Sequence, residues 1–120
     1  MKKILVIEDD INILESLIDL LELKNYDVIS AKDGNEGYQK AMSESPDIII
    51  CDVMMPGMNG YNVLEKLNSN NKKRIPFIFL SALSTKDDVR AGMTGGAADY
   101  LIKPFRAQEL FNTIDRNLNQ

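Results

Sequence analysis

The stretch Ile48-Ile49-Ile50-Cys51-Asp52-Val53-Met54-Met55-Pro56-Gly57-Met58-Asn59-Gly60 decides how this chain folds. Three β-branched residues and a cysteine make a short continuous apolar run, the pattern of a strand covered on both faces in the middle of a parallel sheet. Asp52 stands where that strand emerges, and Pro56, Gly57 and Gly60 turn the chain behind it. An ionised carboxylate at the end of a buried strand is costly to desolvate without a charged or metallic partner. The residues that close the other strands therefore bear directly on the role of Asp52.

Towards the N-terminus, Ile4-Leu5-Val6-Ile7 is a second buried strand and ends in three acids, Glu8-Asp9-Asp10. Leu14, Leu17, Ile18 and Leu21 then fall on one helical face, with Asp10 or Asn12 placed to cap the helix start. Val28 to Ala31 is a weaker, edge-type strand. A helix from Asp33-Gly34-Asn35 to about Ser45 turns Tyr38, Ala41 and Met42 inward, although Gly37 costs a helix interior roughly 1 kcal/mol relative to alanine. Beyond Gly60, Val63, Leu64 and Leu67 mark a third helix that gives way to a polar surface loop over Asn68 to Arg74.

Phe77-Ile78-Phe79-Leu80 is a fourth buried strand, ending at Ser81-Ala82. The stretch Ser84-Thr85-Lys86-Asp87 has capping character and leads into a thin fourth helix from about Lys86 to Met93, anchored by Val89 and Met93. Tyr100-Leu101-Ile102 makes a fifth strand, closed by Lys103-Pro104-Phe105. Ala107, Leu110, Phe111, Ile114 and Leu118 give the last helix the cleanest amphipathic pattern of the chain.

Five strands alternating with five helices predict an α/β fold, a doubly wound parallel sheet with helices on both faces. The 120 residues are expected to form a single domain over 1–120. A net charge of −4 argues against direct nucleic-acid binding or attraction to an anionic membrane. The absence of histidine excludes imidazole catalysis, imidazole ligation and any phosphohistidine carrier role for this chain. A lone Cys51 cannot form an internal disulfide, and with no long apolar run and no signal peptide the chain is expected to be cytoplasmic.

In doubly wound sheets, function gathers beyond the carboxyl ends of the strands, where the winding direction switches. Here those ends carry Glu8 and Asp9, Asp52, Ser81 and Lys103. Taken singly, each has an ordinary explanation as a cap, a turn residue or a solvated charge. Together at one sheet edge they describe a site. Three crowded carboxylates repel one another unless a cation sits among them, so at least one should hold its proton above the usual range. Oxygen ligands without imidazole or thiolate suit Mg²⁺, or Mn²⁺. A fixed lysine charge and a hydroxyl beside one carboxylate complete what phosphoryl transfer to that carboxylate requires.

With those residues in place, the chain resembles the receiver domain of two-component response regulators, including the chemotaxis regulators, over its whole length. Glu8-Asp9, Asp52, Pro56 with Gly60, Ser81-Ala82, Tyr100 and Lys103-Pro104-Phe105 carry the resemblance. It implies a flavodoxin-like sheet in the order 2-1-3-4-5, and a phosphorylation-activated switch rather than an enzyme acting on other substrates. Asp52 would be the phosphoacceptor, served by a sensor histidine kinase or a histidine phosphotransfer protein. Glu8, Asp9, Asp52 and the backbone carbonyl of Met54 would hold Mg²⁺. Lys103 would pair with the phosphoryl oxygens, and Ser81 and Tyr100 would form the switch, the tyrosine turning inward.

The resemblance further implies that the surface of the fourth helix, fifth strand and fifth helix addresses an output domain or a downstream protein, and it allows a phosphorylation-dependent dimer. Lys103-Pro104 becomes a candidate cis peptide. The chain could be a stand-alone receiver or part of a longer protein. Three other readings fit less well. A flavin carrier's phosphate would be repelled by Glu8-Asp9-Asp10. A haloacid-dehalogenase-type phosphatase would need an acid where Met54 stands. A degenerate receiver would lack one of the acids or the lysine.

Overall fold

The computed structural model describes residues 1–70, 74–83 and 85–118. Strands β1 (Lys3–Ile7), β2 (Asp27–Ala31), β3 (Ile48–Asp52), β4 (Phe77–Ser81) and β5 (Asp99–Ile102) alternate with helices α1 (Ile11–Leu23), α2 (Gly34–Glu44), α3 (Gly60–Asn70), α4 (Lys86–Thr94) and α5 (Ala107–Leu118). The sheet is parallel throughout, in the order β2-β1-β3-β4-β5. The winding direction therefore switches between β1 and β3, the seam at which such folds bind ligands.

Because successive strand residues point to opposite faces, each apolar run feeds two cores. Ile4, Val6, Ile48, Ile50, Ile78 and Leu80 pack under α1 and α5, against Leu14, Leu17, Leu21, Leu110 and Ile114. Leu5, Ile7, Ile49, Cys51, Phe77 and Phe79 pack on the other face, against Ala41 of α2 and Val63, Leu64 and Leu67 of α3. Strands that must fill both layers cannot alternate polar with apolar, which is why their sequences are continuous apolar runs.

The helix starts follow from capping. Asp10 accepts the amides of Asn12 and Ile13 at the start of α1, Asp33 accepts that of Glu36 in α2, and Thr85 forms a reciprocal capping box with Asp88 in α4. Ser84 and residues 71–73, parts of the expected capping stretch and loop, lie outside the described residues.

Three expectations need correction. Met42 is 40% exposed, so α2 turns Ala41 and the half-buried Tyr38 to the core without it. Met93 is 41% exposed and Val89 half-buried, leaving Gly92 as the buried residue of α4. Helix α3 also continues through Asn68, Ser69 and Asn70, where Ser69 Oγ and Asn70 Nδ2 donate to the carbonyls of Glu65 and Lys66. Those side chains help complete a helix end that their polarity had suggested was loop. Gly37 has a packing reason: a Cβ there would run into Ile7.

Candidate functional site

Strand register builds the site. Ile7 pairs with Cys51, Asp52 with Leu80, and Ser81 with Ile102, so Glu8, Asp52, Ser81 and Lys103 emerge side by side at the carboxyl edge. Backbone bonds fix the frame: the Glu8 amide donates to the Ala31 carbonyl (3.0 Å) and the Lys103 amide to the Ser81 carbonyl (2.8 Å). The Lys103-Pro104 peptide is cis, as the resemblance suggested.

Carboxylate oxygens of Glu8, Asp9 and Asp52 lie within 4.8 Å of one another. Glu8 and Asp52 are only 1% and 6% exposed, while Asp9 faces solvent. Lys103 Nζ bridges the two buried acids, 2.8 Å from Glu8 Oε1 and 3.6 Å from Asp52 Oδ1. Three hard oxygen donors converging on one point, with the outer one open to water, match a small divalent cation that keeps part of its hydration shell. The residues present therefore fit Mg²⁺.

Glu8 has its pKa pushed up to about 7. Burial is the main cause, opposed by hydrogen bonds from Lys103 and from the Asp10 amide, and Asp52 adds a smaller upward push. The raised carboxyl expected from crowding has burial as its largest cause, with repulsion from Asp52 a lesser one. For Lys103, burial alone would lower the pKa. Its bond to Glu8 and the nearby Asp52 charge outweigh burial and raise it, so the lysine stays charged.

Ser81 is fully buried, and its Oγ accepts the Leu83 amide (3.1 Å). Tyr100 lies half-buried with its ring 6.0 Å from that of Phe79, and its hydroxyl donates to the Leu83 carbonyl (2.9 Å). The ring thus packs beside Phe79 of β4 with its hydroxyl held at Leu83. Leu83 joins the two switch candidates through its own peptide groups. No sequence signal could have found it, because backbone atoms make both bonds. Met54 and Leu83 also line a mainly apolar groove of about 450 Å³ beside the acids, with Met55, Pro56, Asn59 and Tyr61.

The family description "Response regulator receiver domain" matches residues 4–115. The chain is 41% identical over 109 residues to the alkaline phosphatase synthesis transcriptional regulatory protein PhoP of Bacillus subtilis, covering 91% of this chain and 45% of that protein. Its fold superposes on the chemotaxis protein CheY4 of Vibrio cholerae with a TM-score of 0.91 at 32% identity, covering 98% and 99% of the two chains. A putative response regulator from Chloroflexus aurantiacus gives a TM-score of 0.93 at 33% identity, covering 99% and 98%. The chain belongs to the receiver domain family of two-component response regulators, phosphorylation-regulated signalling switches. It spans about half the length of the curated relatives it matches.

Proposed function

We propose that Asp52 is the phosphoacceptor of this receiver and that the acidic seam between β1 and β3 is its Mg²⁺ site. The observation that carries this reading is the convergence of Glu8, Asp9 and Asp52 within 4.8 Å, with Lys103 Nζ 3.6 Å from Asp52. An Asp52 oxygen attacks the phosphorus of a phosphohistidine on a sensor kinase or a histidine phosphotransfer protein. The P–N bond breaks, and the departing imidazole takes up a proton. When bound, Mg²⁺ would be held by Glu8, Asp9, Asp52 and the Met54 carbonyl and would supply charge neutralisation for the transfer; Mn²⁺ has the same ligand preference. Lys103 shifts from Glu8 towards the new phosphoryl group, and the Ser81 hydroxyl donates to it. That rearrangement reaches Leu83, whose carbonyl holds the Tyr100 hydroxyl, and so reaches Tyr100 itself.

The same residues govern loss of the phosphoryl group to water, a self-directed reaction and no turnover of other substrates. Neither Met54 nor Leu83 can orient an attacking water, which favours a persistent phosphorylated state. The response passes through α4, β5 and α5 to an output domain or a separate partner, and a phosphorylation-dependent dimer on that face is one form it can take. Names such as transcriptional regulatory protein among the relatives fit an output in gene control. The net charge of −4 assigns contact with nucleic acid to another part of the system. No helix among the described residues is long and apolar enough to cross a membrane.

Incubation with acetyl phosphate and Mg²⁺ tests the reading. One phosphoryl group should be added to the unmodified protein, and none to Asp52→Ala or in the presence of excess chelator. Undiminished incorporation in either control overturns it.

A further inference from the structure

Gly92 is the buried residue of α4. A Cβ at that position would stand 3.0 Å from Cδ2 of Phe79 and 3.1 Å from Cδ2 and Cε2 of Tyr100. Carbon atoms ordinarily settle at about 3.5–4.0 Å, so α4 sits too close to the Phe79 and Tyr100 rings to accommodate a side chain there unless the rings give. Other elements hold the tyrosine ring too. Phe79 flanks it, and the Leu83 carbonyl accepts its hydroxyl at 2.9 Å. The Leu83 amide in turn reaches Ser81 Oγ at 3.1 Å. A continuous path runs from Ser81 through the peptide groups of Leu83 to Tyr100, and from the ring to Gly92. Few of its own side chains seat the helix: Met93 is exposed, and Asp88 and Val89 are half-buried. From α3, the Tyr61 hydroxyl reaches the Asp88 carbonyl (3.5 Å) and Asn68 Nδ2 the Gly95 carbonyl (2.9 Å).

We propose that Gly92 is a positioning residue, the point at which the place of the Tyr100 ring fixes the seat of α4. The helix closes over the ring because no side chain intervenes, and it must shift when the ring moves. Packed contacts of this kind adopt discrete arrangements rather than deforming smoothly, so a small displacement near Ser81 becomes a change of helix position. The inference rests on reading Ser81 and Tyr100 as the switch, but its steric core does not.

The test compares Gly92→Ala in two backgrounds. Alanine ordinarily favours a helix over glycine. In the unmodified protein Gly92→Ala should instead lower the melting temperature and speed amide exchange across Lys86–Thr94 by about fivefold or more, the factor by which alanine would otherwise slow it. With Tyr100→Ala already present, the same change should cost clearly less, because the tyrosine ring that opposed the methyl is gone while Phe79 remains. Stabilisation in both backgrounds, or equal loss in both, overturns the proposal.

A second arm adds acetyl phosphate and Mg²⁺. Gly92→Ala should take up phosphate at the unmodified protein's rate, with the exchange response of α4 to phosphorylation diminished. An undiminished response overturns the positioning role. If the unmodified protein takes up no phosphate, the receiver reading of the site fails instead, and the melting comparison alone decides the steric claim.

Discussion

Helices α4 and α5 flank the same strand, β5, and are attached to the molecule in opposite ways. Helix α5 buries Leu110, Thr113, Ile114 and Asn117. It is also tied to the strand: Arg116 donates to Asp99 through Nε (3.1 Å) and Nη2 (2.6 Å), and Asn117 Nδ2 reaches the same oxygen at 3.0 Å. On its other side the Tyr26 hydroxyl donates to Asp115, and Lys24 lies over the Phe111 ring. Helix α4 buries a glycine, and its first turn is held by a capping box. A receiver needs one element that holds its place and one that answers a change at the acidic seam. In the proposed switch, burial and hydrogen bonding would divide those tasks between two neighbouring helices.

The largest expected contrast comes from truncating one apolar side chain in each helix. Leu110→Ala in α5 should cost about 2–5 kcal/mol in urea unfolding, as a fully buried leucine does. Val89→Ala in α4 should cost about 1 kcal/mol or less, since part of its surface is already exposed and valine loses fewer carbons. Equal losses would remove the distinction between the helices.

Asp99 sharpens the comparison through pH. Burial pushes its pKa up, but Arg116, Asn117 and the Tyr100 amide together outweigh burial and hold it below the usual carboxylate range. A carboxyl with a depressed folded pKa contributes stability above its unfolded pKa of about 3.9 and loses it as pH falls through the folded value. Asp99→Asn should therefore be about 1–2 kcal/mol less stable than the unmodified protein at neutral pH. That gap should close below about pH 4. A gap independent of pH would mean that shape rather than charge pins α5.

The smallest effect should come from Thr85→Ala, which removes the cap of α4 and costs about 1 kcal/mol locally. Faster amide exchange confined to Lys86–Thr94, with little change in the global unfolding midpoint, is the expected result. A matching loss of global stability would show α4 to be part of the cooperative core.

The sequence made the rigid half of this molecule easier to read than the mobile half. Continuous apolar runs identified β1, β3 and β4 because those strands are covered on both faces, and the acids and lysine could be placed together once the runs were aligned. The 3.6-residue pattern of α5 was equally plain. Met93 and Met42 misled because a long apolar side chain looks inward in sequence, whereas the available room had gone to Gly92 and Ala41.

The acids Glu8 and Asp9 are equivalent in sequence, and only strand geometry buries the first while leaving the second in water. The bond between Asp99 and Arg116 joins residues on successive elements that no periodicity connects. Thr113 and Asn117 are buried polar residues whose side chains donate to the carbonyls of Glu109 and Thr113, which offsets the cost of their burial within α5. The link through Leu83 is carried by backbone atoms and leaves no mark on residue choice.

The central claim is that a phosphoryl group on Asp52 is answered more strongly by α4 than by α5. Hydrogen exchange followed by peptide mapping, with and without acetyl phosphate and Mg²⁺, tests it most directly. The account predicts a single phosphoryl group on the peptide containing Asp52, altered exchange across Lys86–Thr94, and a smaller change across Ala107–Leu118. Phosphate on another residue, or an equal response in both helices, would contradict it.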